Sequence, residues 1–194
     1  MTKQWLVPFV TRFGRFGSAV IVLVLVQTLL LTYFIADRVM ILRSPNVVTL
    51  LSEPVDPRDL FRGDYVTLGY AITTLSLTEI NGDQTWADGE TIYVELTPAE
   101  NNWRAVAAFH AHEVPALGNK IIRGTISYYD TTRNVAQVDY GIERYYVPEG
   151  EGRVLEEERN KSALSVDVAL GRDGEATIKG IRIDGKPVYE EPVF

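Results

Sequence analysis

The chain has no cysteine. Disulfides, thiolate nucleophiles and cysteine-ligated zinc are therefore excluded. It has only two histidines, His110 and His112. Beyond the N-terminal part basic residues are outnumbered by acids. Residues 1–43 carry five basic residues and one acid, a balance of +4; the whole chain stands at −7, which leaves −11 for the 151 residues that follow. Phosphate contacts need a basic face, so nucleic-acid binding is excluded for that part, and by its net charge it is not expected to lie on an anionic lipid surface. No internal repeat and no low-complexity tract is present. One stretch, Val20 to Ile35, lacks charge, glycine and proline altogether.

That stretch reads VIVLVLVQTLLLTYFI, and from Gly17 to Ala36 it reaches 20 residues. At helical rise this is about 30 Å, the thickness of a bilayer's hydrocarbon core. A helix satisfies its own backbone polar groups in lipid, so a membrane-spanning helix is predicted. Gln27, Thr28 and Thr32 are its only clearly polar side chains. Either they hydrogen-bond locally or Gln27 meets a partner helix. Lys3, Arg12 and Arg15 precede the span without an acid, whereas Arg38 and Arg43 follow it beside Asp37. The positive-inside bias places the N-terminus in the cytoplasm. Phe34 stands where a cleavage site wants a small residue, so the span reads as an uncleaved signal anchor. The expected order is a cytoplasmic stub over 1–16, a transmembrane anchor over 17–36, a juxtamembrane connector over 37–62, and an extracytoplasmic domain over 63–194.

In the connector, Pro45, Pro54 and Pro57 oppose helix around a short apolar run, Val47 to Leu51. Beyond it a period near two predicts strands over 64–72, 91–97, 102–111, 120–129, 135–142, 164–170 and 176–183. In 102–111 the pattern puts Trp103, Ala105, Ala107, Phe109 and Ala111 on one face. Turn signals separate these runs. Arg172-Asp173-Gly174 and Asp184-Gly185 join theirs at hairpin distance. Pro148 to Lys161 is polar, with glutamates before Arg159 and Lys161, and predicts one short exposed helix. The fold class is thus mainly β. A compact, mostly antiparallel domain, barrel- or sandwich-like, follows a single N-terminal helix.

Gly63-Asp64-Tyr65, Leu68 and Tyr70 spell G-D-Y-x-x-L-x-Y, led in by Pro54 to Arg62, PVDPRDLFR. This resembles the bacterial GDYXXLXY protein family, named for the pattern. Tyr146 to Gly150 and Ala176 to Gly185, with the closing Lys186-Pro187, resemble its tail. The resemblance implies a membrane-anchored protein of the bacterial cytoplasmic membrane, often encoded beside multi-pass membrane proteins. It supplies no catalytic residues. Physically, Gly63 allows a sharp turn into the strand, and Asp64 accepts hydrogen bonds there or pairs with Arg58 or Arg62. Leu68 is a core candidate; Tyr70 buries a ring and bonds through its hydroxyl. Two readings stand. The motif fixes the fold, or Arg58, Asp59, Arg62, Asp64 and Tyr65 form a recognition site at the sheet's rim.

Other chemistry is thinly represented. His110 and His112, two apart on a strand, would share a face opposite Trp103 and Phe109 beside Glu113, but two ligands are too few for a metal site. Ser44 and Lys120 would be a nucleophile and base of signal-peptidase type, yet Pro45, Asn46 and Val47 do not supply the usual context. Asp56, Asp59 and Asp64 lack the spacing of a calcium loop. Arg62-Gly63-Asp64 as an integrin-type tripeptide is a chance-level motif. No catalytic residues and no cofactor are expected. The favoured function is a non-catalytic binding or assembly module for a membrane or envelope partner, multi-pass membrane proteins among the candidates. The alternative is an envelope hydrolase of unrecognised type.

Overall fold

The computed structural model describes residues 7–53, 65–100, 102–146 and 164–191. The short helix expected over 148–161, and motif residues Arg58, Asp59, Arg62, Gly63 and Asp64, lie outside them. The chain divides into two compact units, the first ending at Met40 and the second starting at Ile41.

The first unit is helical. Helix α1 runs over Val7–Leu42, with a break at Gly14, whose φ of 67° a side chain would resist. Its stretch Phe16–Leu42 is long and apolar enough to cross a membrane. Thr32 donates its hydroxyl to the Thr28 carbonyl at 2.8 Å and Ser18 to that of Gly14 at 3.1 Å. The helix thus satisfies these hydroxyls within itself, as polar side chains in an apolar span require.

The second unit is β. Its strands are β1 (Val47–Glu53), β2 (Tyr65–Thr67), β3 (Gly69–Tyr70), β4 (Thr74–Ser76), β5 (Asn81–Gly82), β6 (Thr91–Pro98) and β7 (Trp103–Phe109). They continue with β8 (Lys120–Asp130), β9 (Val135–Asp139), β10 (Arg144–Tyr146), β11 (Leu164–Leu170), β12 (Ala176–Ile183) and β13 (Lys186–Glu190). One sheet has the order β13-β12-β11-β1-β3, another β4-β9-β8-β6-β7-β5, and β10 pairs β2 alone. Among the described residues every pairing is antiparallel except β5 with β7. Val48, Leu50, Val166 and Ile181 of the first sheet share one continuous core with Ile92, Val94, Ile122 and Val138 of the second.

The hairpins form where glycine signals stand. At the β12–β13 turn Asp184 and Gly185 both have positive φ, 50° and 75°, the conformation that continues strand twist through a two-residue loop.

Three departures from the sequence reading have physical causes. Val47 to Leu51, read as part of a connector, is strand β1 and lies between β11 and β3, with Val48 and Leu50 buried. The strand expected over 64–72 is cut at Leu68. Before it β2 pairs with β10, after it β3 pairs with β1, and Ala71–Thr73 closes as a 3-10 turn. Finally, strict alternation fails at bulges in β7, β8 and β12. Val106, Ser127 and Lys179 are each the unpaired extra residue in their strand. A bulge moves the inward face by one residue. Inward positions accordingly pass from Ala105 to Ala108, from Ile126 to Tyr129, and from Ile178 to Ile181. Phe109 therefore does not share a face with Trp103 and Ala105.

Candidate functional site

Of the motif, Tyr65 opens β2 opposite Tyr146 of β10. Leu68 and Tyr70 are buried. Together they stitch two segments, 68–72 and 140–143. The Leu68 N–H donates to the Glu143 carbonyl at 2.8 Å. The Tyr70 hydroxyl donates to the Ile142 carbonyl at 2.9 Å, and the Tyr140 hydroxyl to the Ile72 carbonyl at 2.8 Å. Each tyrosine thus reaches two residues past the other. The Glu143 carboxylate accepts the Tyr140 N–H and so caps the turn between β9 and β10. Burial pushes both phenols well above their ordinary pKa, and the nearby Glu143 carboxylate adds to it. They stay protonated donors. This corner can hold the fold; its buried hydroxyls offer nothing to a ligand.

The two histidines part company. After the bulge at Val106, His110 falls on the side of Ala108 and stacks on Trp86, ring centroids 3.9 Å apart. Its Nδ1 is 4.0 Å from the Glu90 carboxylate, and its N–H donates to Asp83 at 2.8 Å. His112 meets the Tyr93 ring edge-on at 5.6 Å. Among the described residues no three His, Cys, Asp or Glu side chains are arranged to hold a metal. Ser44 and Lys120 share no hydrogen bond: the Ser44 hydroxyl accepts the Asn46 N–H at 3.2 Å, and the Lys120 ammonium donates to the Val47 carbonyl at 3.0 Å.

Lys120 instead belongs to a cleft of about 180 Å³ that the sequence reading did not assemble. Its wall includes Asn46, His112, Asn119, Lys120, Gly171 and Arg172. These come from the chain before β1, the loop between β7 and β8, the start of β8, and the β11–β12 turn. The Lys120 ammonium also lies 5.3 Å from the Trp103 ring centroid, where a cation is favoured. Burial lowers its pKa from the ordinary lysine value. Glu175, close to Gly171, is committed to Arg123 at 2.8 Å. The cleft therefore presents ammonium, guanidinium, imidazole and two amides, and its wall has no hydroxyl, thiol or carboxylate. That set can bind an anion; it lacks a hydroxyl or thiol nucleophile.

One loop beside the cleft is pinned. Glu95, almost fully buried on β6, accepts the Ala116 N–H at 2.8 Å and the Asn119 side-chain amide at 2.7 Å. The Asn119 N–H closes the turn onto the Ala116 carbonyl at 2.9 Å. The loop so held turns Val114 and Leu117 fully into solvent, 93% and 106% exposed.

Periodicity could not reveal the cleft, because its residues are far apart in sequence and only the strand order gathers them. Comparison with curated proteins finds no match, and comparison with solved structures finds none. The pattern of the GDYXXLXY protein matches residues 27–181, most of the chain from within the apolar helix into β12, and the chain belongs to that family.

Proposed function

We propose that this is a non-catalytic binding or assembly module, tethered by one span to a bacterial cytoplasmic membrane. In this reading residues 1–16 are cytoplasmic and the β domain is extracytoplasmic, in keeping with Lys3, Arg12 and Arg15 before the span. One observation supports it above others. Only four residues separate the end of α1 at Leu42 from the start of β1 at Val47. Fully extended they reach about 14 Å. The domain is thereby confined near the bilayer, where it meets partners held in the same membrane. A multi-pass protein of the same membrane is the proposed partner. Recognition would use the motif residues Arg58, Asp59, Arg62, Asp64 and Tyr65. The hydrolase alternative is weaker, because the cleft wall offers no hydroxyl or thiol nucleophile.

The absence of cysteine makes the test simple. Single-cysteine variants of the full chain, carrying a photo-crosslinker at exposed positions, are irradiated in native membranes. One integral membrane protein should be captured repeatedly; capture of none, with the protein folded, counts against the proposal. A C-terminal reporter active only outside the cytoplasm checks the orientation. Asp64→Ala separates the motif's two roles. Loss of capture with folding intact supports recognition, and loss of folding supports a structural role.

A further inference from the structure

Two side chains as apolar as Val114 and Leu117, fully exposed on a pinned loop, keep apolar surface in water without an internal reason. Their neighbours are chemically distinctive. The same loop supplies Pro115 and Asn119 to the cleft that holds Lys120, Arg172 and His112. In a part of the chain that carries −11, this gathers cations on one wall. The cleft is also close to Ile41, where the second unit starts. Asn46, on its wall, follows Leu42 by four residues. A Cβ on Gly171, also on the wall, would lie 3.3 Å from Ile41 Cγ1. From the last apolar residue of the span, Ala36, six helical and four extended residues reach at most about 23 Å, so the cleft cannot stray far from the lipid surface.

Apolar side chains that enter the headgroup–acyl boundary, flanked by cations that meet lipid phosphates, are the pattern of an interfacial contact. We propose that the 113–119 loop is a membrane-docking element: Val114 and Leu117 enter the bilayer interface while Lys120 and Arg172 engage lipid phosphates. The inference rests on the anchored reading above and adds to it a second, reversible contact that orients the domain on the surface. Glu113 and Asp173, both exposed, flank the contact and oppose it on anionic lipid.

The test uses the full chain in proteoliposomes of phosphatidylcholine with phosphatidylglycerol. Leu117→Cys carries an environment-sensitive fluorophore. Thr131→Cys, in the exposed turn at the far end of β8, about 33 Å along the strand from Lys120, is the reference. The Leu117 label should shift to the blue, be quenched by lipid-borne nitroxide and lose its quenching by aqueous iodide. The Thr131 label should do none of these. Lys120→Gln with Arg172→Gln should restore iodide access at Leu117, and Glu113→Gln should deepen the shielding. If the Leu117 label stays as open to iodide as that at Thr131, the proposal falls. It falls also if shielding occurs only in native membranes and never in pure lipid, since that assigns the loop to a protein partner. Failure of the anchored reading looks different: the protein would not float with the vesicles.

Discussion

Tyr70 and Tyr140 show what a single motif residue does here. Each ring fills the core and each hydroxyl satisfies a carbonyl on the other's segment. Tyr70→Phe keeps the ring and leaves the Ile142 carbonyl without its donor. A buried acceptor so orphaned costs about 1–3 kcal/mol. Tyr140→Phe should cost a similar amount. Because both bonds join the same two segments, the double variant should lose less than the sum of the singles, read from urea midpoints in a double-mutant cycle. Ser52 is the reverse case. It is fully buried opposite Tyr70, and its hydroxyl has no hydrogen-bond partner. Ser52→Ala removes a group that is desolvated for no return. It should raise stability by about 1 kcal/mol, measured by the same midpoints.

Elements are governed by register, and register is where the sequence reading and the structure diverge. The bounds of strands β11 and β12 were legible, because the Gly171–Gly174 turn between them and the Asp184-Gly185 turn after them interrupt apolar runs. Strand β1 was hidden by its flanking prolines, although Leu50 is among the most buried residues. The bulges were invisible for a different reason. An extra residue such as Val106 is defined by its partners on β6, and pairing is a long-range fact that no local period encodes. The candidate site shares this limit: Leu68 and Tyr70 were correctly placed as core, while the cleft depends on strand order. The bulge at Val106 makes a sharp prediction. Deleting Val106 removes the extra residue and leaves Ala105 and Ala108 two apart, so β7 can pair regularly with both still facing the core. Cooperative unfolding followed by circular dichroism should therefore be retained. Val106→Ala leaves the count intact and trims a half-buried side chain, so it should cost only about 1 kcal/mol.

At the scale of the molecule, the chain couples an apolar helix to an acidic β domain whose core stores unionised phenols. Tyr70 and Tyr140 have pKa values raised well above the ordinary 10, chiefly by burial and then by Glu143. Tyr145 is pushed up to about 12 by burial first and then by Glu191. A phenol raised in the native state contributes stability that is fully present below the unfolded pKa. It is lost as pH climbs from about 10 toward the native value, because the unfolded chain then releases protons that the native chain retains. Each fully buried phenol then removes about 1.4 kcal/mol per pH unit, so Tyr70 and Tyr140 together remove about 3. The full chain in detergent micelles, with unfolding followed by tryptophan fluorescence from Trp86 and Trp103, should have a flat urea midpoint from about pH 8 to about pH 10 and a steep fall beyond. The variant with both Tyr70→Phe and Tyr140→Phe should begin less stable and fall less steeply, so that the two curves converge as pH rises. Parallel curves would mean that these hydroxyls gain no protection from the fold, and the reciprocal stitching of 68–72 to 140–143 would then be no part of what holds the domain together.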